Sequence, residues 1–201
     1  MFKILFDFSA SFFGLVLLLP VLFVTSIISI IFQGFPIFFL HERLGKDGVT
    51  FTMVKFRTML NGLSESAEHD ITRLTRWGRF IRKTSIDELP VLFNVIKGDM
   101  SLVGPRPLPI KYLTRFNNDQ KKRMNVKPGI TGLAQINGRN QLSWEDRFHY
   151  DLEYIEKKSF LLDLLIIIKT LYIVIFRKNI DSATQEIMPE FMGTSRDIID
   201  D

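Results

Sequence analysis

At 201 residues, with 46% hydrophobic and 24% charged side chains, the chain suits one domain with a sizeable core and is neither wholly membrane-embedded nor disordered. It has no cysteine, which excludes disulfides and thiolate metal sites and fits a cytoplasmic setting. The formal net charge of +4 is a mild basic excess, compatible with anionic lipid, phosphorylated substrates or nucleic acid.

From Phe8 to Leu40 no residue is charged. The run is too long for the apolar core of a signal peptide and is followed by no small-residue cleavage site. Pro20 lies inside it, and proline removes a backbone N–H and clashes with the preceding turn, so a bend or break is expected there. Phe8 to Leu19 and Val21 to Phe32 would each make roughly 18 Å of helix, too short for a hydrocarbon core of about 30 Å. A kinked span and a re-entrant helix-break-helix hairpin therefore compete. Lys3 before the run and Arg43 and Lys46 after it put cations at both ends, which favours the re-entrant form.

Gln33 to Thr58 is punctuated by Gly34, Pro36, Gly45 and Gly48. The β-branched and aromatic content of Val49 to Phe56 predicts a strand. Lys55 and Arg57 alternate with Phe56, so both cations fall on one face, either solvated or turned toward phosphate. Asn61 to Asp70 reads as a polar loop. Thr72 to Lys83 predicts a basic amphipathic helix, with Leu74, Trp77, Phe80 and Ile81 on one side and Arg73, Arg76, Arg79, Arg82 and Lys83 around the rest. It suits either a membrane interface or a surface helix packed on the core.

The stretch Ser85 to Pro107 is the centre of the chain. Ser85-Ile86-Asp87-Glu88 has the spacing of a capping box, with Glu88 reaching back to a backbone N–H. Pro90 fits the first helical turn. Asp87 then lies at a helix start, where the macrodipole favours a carboxylate and attracts phosphate. Alternatively Asp87 is a nucleophile and Glu88 a magnesium ligand, since an anion attacking a polyphosphate needs its charge shielded. The pattern alone leaves capping and catalysis open. A Gly98-Asp99 turn follows, then Arg106 framed by Pro105 and Pro107.

Leu108 to Lys127 is a polar helical candidate ending in Lys121, Lys122 and Arg123. Lys127 to Asn140 holds three glycines and a proline, a loop that turns tightly or approaches a ligand closely, and it delivers Gln135, Asn137, Arg139 and Asn140. Trp144 to Lys158 predicts a helix capped by Ser143. Phe160 to Phe176 is apolar but carries Asp163 and Lys169, which suits packing or an interface-lying helix rather than a crossing. Residues after Arg177 form a polar tail. There is no internal repeat, Walker loop, dinucleotide fingerprint or zinc spacing, and the three histidines are scattered.

The run D-E-L-P-x-L-F-N-V-x-K-G-D-M-S-x-V-G-P-R-P, with K-P-G-I-T-G-L-A-Q-x-N-G-R-N, K-F-R-T-M and the apolar N-terminus, resembles the bacterial sugar transferases, small monotopic phosphoglycosyl transferases. Two features depart from the family's pattern: Leu19 stands where a serine usually precedes the proline, and Arg43-Leu44-Gly45 replaces an R-P-G turn.

The resemblance implies transfer of a sugar-1-phosphate from a UDP-sugar to polyprenyl (undecaprenyl) phosphate, with release of UMP, starting surface-glycan assembly. Asp87 would form a covalent phosphosugar-aspartate, Glu88 would hold Mg2+, and Lys55, Arg82, Arg106, Gln135 and Arg139 would contact substrate. Direct transfer without a covalent intermediate and a noncatalytic scaffold for anionic partners are the alternatives. The expected fold is α+β and mainly helical, with interfacial amphipathic helices and a small β element. Residues 1–40 would form the membrane-embedded hairpin, 41–178 the catalytic domain on the cytoplasmic face of the bacterial inner membrane, and 179–201 the tail. The expected partners are the two substrates and membrane lipid, not nucleic acid, and the apolar helix pair could support a homodimer.

Overall fold

A computed structural model describes residues 2–60, 73–138, 141–176 and 190–193. Its first element is α1 (Phe2–Gln33), a single helix that contains Pro20. The expected division into two helices at this proline is not seen. Losing one backbone bond and accommodating the ring costs about 3 kcal/mol, and tertiary packing offsets it. Asp7, Ser11, Leu15, Leu22, Thr25 and Ser29 are buried at helical spacings along one face. Leu15 and Leu22, on either side of Pro20, pack with Phe56 and Ile81. The opposite face leaves Phe13, Leu17, Phe23 and Ile31 exposed.

The strands β1 (Phe38–Leu44) and β2 (Thr50–Phe56) form an antiparallel hairpin in the register Phe39↔Lys55, His41↔Met53, Arg43↔Phe51. Arg57, just past β2, does not join Lys55 in a phosphate-facing pair. It is buried and donates to the carbonyls of Gln33 and Gly34, two of the orphan acceptors at the negative end of α1. The basic helix is α2 (Arg76–Lys83), capped by Thr75, whose hydroxyl accepts from Gly78 N at 2.8 Å. Gly78 has no room for a side chain, because a Cβ there would stand 1.8 Å from the Thr58 carbonyl oxygen. Ile81 is buried, whereas Phe80 is exposed and stacks on Trp77, which stacks on Phe32 of α1.

A 3-10 turn (Ile86–Val91) leads into α3 (Leu92–Lys97), which Gly98 ends in the left-handed conformation, φ 92°. Asn94 ties this unit to β2, accepting from Val54 N at 3.1 Å and donating to Thr52 O at 2.7 Å. β3 (Ser101–Val103) runs parallel to β4 (Gly129–Thr131). Between them the polar helical candidate breaks into a 3-10 turn (Ile110–Arg115), α4 (Asn118–Lys121) and a second 3-10 turn (Lys122–Asn125). After β4 come α5 (Leu133–Ile136), α6 (Trp144–Lys157), capped by Ser143 as expected, and α7 (Phe160–Ile175). The mainly helical fold with small sheets matches the expectation.

Tyr112, Phe116 and Phe148 form an aromatic core with Leu44 and Leu108, and Phe191 completes it. The segment read as a polar tail thus returns a buried phenyl ring to the domain. Fully burying such a ring stabilises by about 2–3 kcal/mol.

Both ends of α1 dock on the rest of the chain. Near the start, Lys3 Nζ pairs with Asp163 of α7 at 2.6 Å, and Phe160 meets the rings of Phe2 and Phe6. Near the end, Ser29 accepts from Trp77 Nε1 at 2.9 Å and Gln33 donates to Thr75 at 2.7 Å. Asp163 is also held by the Tyr154 hydroxyl at 2.7 Å, and Asp7 accepts from Ser101 Oγ at 2.7 Å. Lys3, counted above as a cation flanking an apolar run, is therefore an ion-pair partner of the domain.

Candidate active site

The two adjacent carboxylates sit on the 3-10 turn between α2 and α3. Pro90 cannot donate a backbone bond, and the turn closes tightly instead, with Glu88 N donating to Ser85 O at 3.3 Å. The capping box does not form. Ser85 is left-handed at φ 58° and its side chain makes no cap. A non-glycine residue held there carries strain on the order of 1 kcal/mol, two residues from Asp87.

Glu88 turns away from the backbone to the cations. Its Oε1 accepts from Lys55 Nζ at 2.6 Å and from Arg106 Nη2 at 2.7 Å. Three distant pieces of chain meet there: a strand residue whose face is set by the hairpin register, the 3-10 turn, and the Pro105–Pro107 segment. The cleft above them is walled by Arg43, Met53, Met100, Gly129 and Ile130.

The neighbouring carboxyls ionise in opposite directions. Burial, and next the charge on Glu88, push Asp87 up from 3.8 to about 7, against the pull of Lys55, Arg82 and Arg106. Burial also opposes ionisation of Glu88, but Arg106 and then Lys55 outweigh it and hold that carboxyl well below the usual range. Lys55 is lowered by burial, which its Glu88 partner only partly offsets. Arg106 is raised, chiefly by Glu88.

Arg106 is fixed from behind. Its carbonyl accepts from Arg123 Nη2 at 2.8 Å, and the carbonyl of Pro105 accepts from Gly129 N at 2.9 Å. Arg123, read above as part of a basic cluster, is buried between the rings of Phe116 and Phe148 and donates to Asp151 at 2.7 Å. The glycine-rich loop packs on this same segment. A Cβ at Gly129 would lie 2.1 Å from Gly104 N, and one at Gly132 would lie 2.2 Å from Gly104 O. The close approach expected of these glycines is thus to the chain's own backbone.

Asp87, Glu88, Lys55 and Arg106 are brought together, with Arg82 close enough to act on Asp87 while its Nε donates to Thr58 Oγ1 at 2.9 Å. Gln135 is not among the residues that wall the cleft, and its side-chain oxygen folds toward Gly132. Arg139 lies outside the described residues. Sequence reasoning passed over Arg43, whose signal was available: strand alternation places it on the Lys55 face once the hairpin register is known.

Among the described residues no group of three or more His, Cys, Asp or Glu could hold a metal ion. Mg2+ is usually held by one or two carboxylates with substrate phosphates completing its shell, and here the Glu88 carboxylate that could serve is engaged by Lys55 and Arg106.

A family model described as bacterial sugar transferase matches residues 1–177. The chain belongs to the bacterial sugar transferase family. Among relatives, an uncharacterized sugar transferase EpsL of Bacillus subtilis is 44% identical over 96% of both chains. The UDP-galactose-lipid carrier transferase of Erwinia amylovora is 40% identical over 80% of this chain and 38% of its own length. The UDP-glucose:undecaprenyl-phosphate glucose-1-phosphate transferase of Xanthomonas campestris is 41% identical over 72% of this chain and 32% of its own. This sugar transferase therefore spans nearly all of one relative and about a third of the two longer ones.

Proposed function

We propose that this sugar transferase is a phosphoglycosyl transferase that moves a sugar-1-phosphate from a UDP-sugar to polyprenyl phosphate and releases UMP. The observation that carries the reading is the split carboxylate pair: Asp87 buried and poised near neutrality, Glu88 ionised between Lys55 and Arg106. The two relatives with named substrates act on a UDP-galactose-lipid carrier pair and on UDP-glucose with undecaprenyl phosphate.

In this scheme the diphosphate of the donor enters the cationic cleft and takes over hydrogen bonds from Lys55 and Arg106. Guanidinium forks fit phosphate oxygens well. Glu88 would then be the carboxylate able to hold Mg2+, which when bound would offset the charge of the diphosphate. An Asp87 oxygen attacks the β-phosphorus, and the bond to the bridging oxygen breaks, its electron pair leaving with UMP. A phosphate oxygen of the polyprenyl carrier then attacks the phosphorus held on Asp87. The Asp87–phosphorus bond breaks, the carboxylate is restored, and the lipid leaves as a diphosphate-linked sugar. Arg82 acts on the Asp87 charge from the end of α2.

α1 is long and apolar enough to cross a membrane, and the sugar transferase is membrane-associated through it. Its full-length packing supports the monotopic arrangement over a crossing, because both ends contact the same domain. The exposed apolar faces of α1 and α7 meet at Phe2, Phe6 and Phe160, and this joint face suits lipid on the cytoplasmic side.

The test is a UMP-release screen of the purified full chain with a panel of UDP-sugars, polyprenyl phosphate and Mg2+. One or more donors releases UMP if the reading is right. Release from none of them leaves the scaffold alternative in its place.

A further inference from the structure

One cation in the cleft has no part in the scheme above. Arg43 ends the β1 face that carries Phe39 and His41, directly across the hairpin from the β2 face that carries Lys55. Its backbone is clamped, since Arg43 bridges Pro109 and the next residue, Leu44, donates to Leu108 O at 3.0 Å. The guanidinium lines the same cleft as Lys55, Glu88 and Arg106.

The protein leaves this guanidinium half satisfied. Nη2 shares a hydrogen bond with His41 Nδ1 at 2.9 Å. Nε is buried and has no partner. A buried polar group without a partner calls for a reason, because leaving it so costs on the order of 1–3 kcal/mol. No described carboxylate forms an ion pair with Arg43, and Oε1 of Glu88 is shared by Lys55 and Arg106. Burial and the nearby Arg106 lower Arg43 to about 10, and burial with Arg43, Lys55 and Lys111 lowers His41 to about 4. The imidazole is therefore neutral at physiological pH and accepts from Arg43 rather than repelling it. What remains is a rigidly mounted positive charge, in a cleft with more cations than ionised carboxylates, lacking an anion.

We infer that Arg43 is a phosphate-binding residue of this cleft, oriented by His41 and filled by the diphosphate of the nucleotide donor. The inference rests on the proposed donor chemistry and assigns it a contact that the Asp87–Glu88 motif does not contain. A phosphate could also come from the lipid acceptor, and the two sources are separable.

The experiment compares the full-length wild type with Arg43→Gln and Arg43→Lys in detergent, using UDP as the probe in calorimetry. The KM for UDP-sugar and for polyprenyl phosphate is then measured for each. Arg43→Gln is expected to weaken UDP by roughly 10-fold or more, the scale of one charge-assisted contact, and to raise the donor KM in step. Arg43→Lys, which keeps the charge but loses the fork, falls between. The acceptor KM stays within about 2-fold. A melting temperature measured without nucleotide identifies any misfolded variant, and the lysine variant carries the test if glutamine unfolds the chain. UDP affinity unchanged in both variants overturns the inference, as does an effect confined to the acceptor KM. A wild type that neither binds UDP nor releases UMP would sink the proposed function itself, a result distinguishable from failure of the variants alone.

Discussion

Replacing Asp87 by Asn should make the folded chain more stable at alkaline pH while abolishing transfer. The side chain is buried, and its carboxyl is raised from 3.8 to about 7. A raised carboxyl favours the folded state where it is protonated: the contribution is complete below about 3.8 and is lost as pH climbs to about 7. At about 1.36 kcal/mol per pH unit, the full ionisation penalty is on the order of 4 kcal/mol as a ceiling. Of this, about 2 kcal/mol develops between pH 5.5 and pH 8. Glu88 is depressed below its ordinary 4.5, so it stays ionised throughout that window and contributes no slope. The assay is thermal unfolding of wild type and Asp87→Asn in the same detergent at both pH values. The variant's advantage should grow by up to about 2 kcal/mol, with each kcal/mol worth about 2–4 °C for a chain of this size. A variant less stable than wild type at pH 8, or a difference that does not change with pH, would refute the argument that Asp87 is held ionisable at a structural cost. It would return the residue to a helix-start role.

Glu88→Gln should abolish the gain in UDP affinity that Mg2+ brings, while metal-free UDP binding strengthens by roughly several-fold because Lys55 and Arg106 lose their shared carboxylate; calorimetry with and without Mg2+ reads both. Asp151→Asn leaves the buried Arg123 without its counter-charge and should cost about 3 kcal/mol or more in unfolding. Because Arg123 holds the Arg106 carbonyl, the donor KM should rise in the same variant with little change in the acceptor KM, a split that a purely structural role would not give. A cysteine placed ahead of Met1 is a single-thiol probe in a chain without cysteines. If both ends of α1 share the domain's side, membrane-impermeant reagent should label it only from the cytoplasmic face of inverted vesicles, and labelling from the other face would show that α1 crosses.

Local patterns single out residues that the fold brings together at Glu88. Asp87, Glu88 and Arg106 lie within one contiguous run and strand alternation fixes the face of Lys55, so the residues stand out locally, while the pattern leaves capping or catalysis open for the carboxylates and solvent or phosphate open for Lys55. The missed features depend on partners far along the chain. Arg123 looks like one of three surface cations until Asp151 and two phenyl rings are placed around it. Arg57 resembles a second phosphate ligand until the end of α1 arrives with its unpaired carbonyls. Pro20 signals a break, yet the buried stripe of α1 supplies enough packing on both sides to carry the helix through. Phe191 sits in a polar segment whose composition gives no hint that one ring folds back into the core. Gln135, a polar residue on a glycine-rich loop, is not among the residues that wall this cleft, and its side-chain oxygen lies toward Gly132.

The central claim is that Asp87 carries the sugar phosphate between donor and acceptor. Its most direct measurement is a single-turnover reaction of the purified chain with a UDP-sugar labelled at the β-phosphate, without polyprenyl phosphate, followed by denaturation and recovery of the protein. The expected result is label bound to wild type in step with UMP release, chased off by polyprenyl phosphate, and no label on Asp87→Asn. Transfer to lipid that proceeds with no label ever retained on the wild-type protein would contradict it.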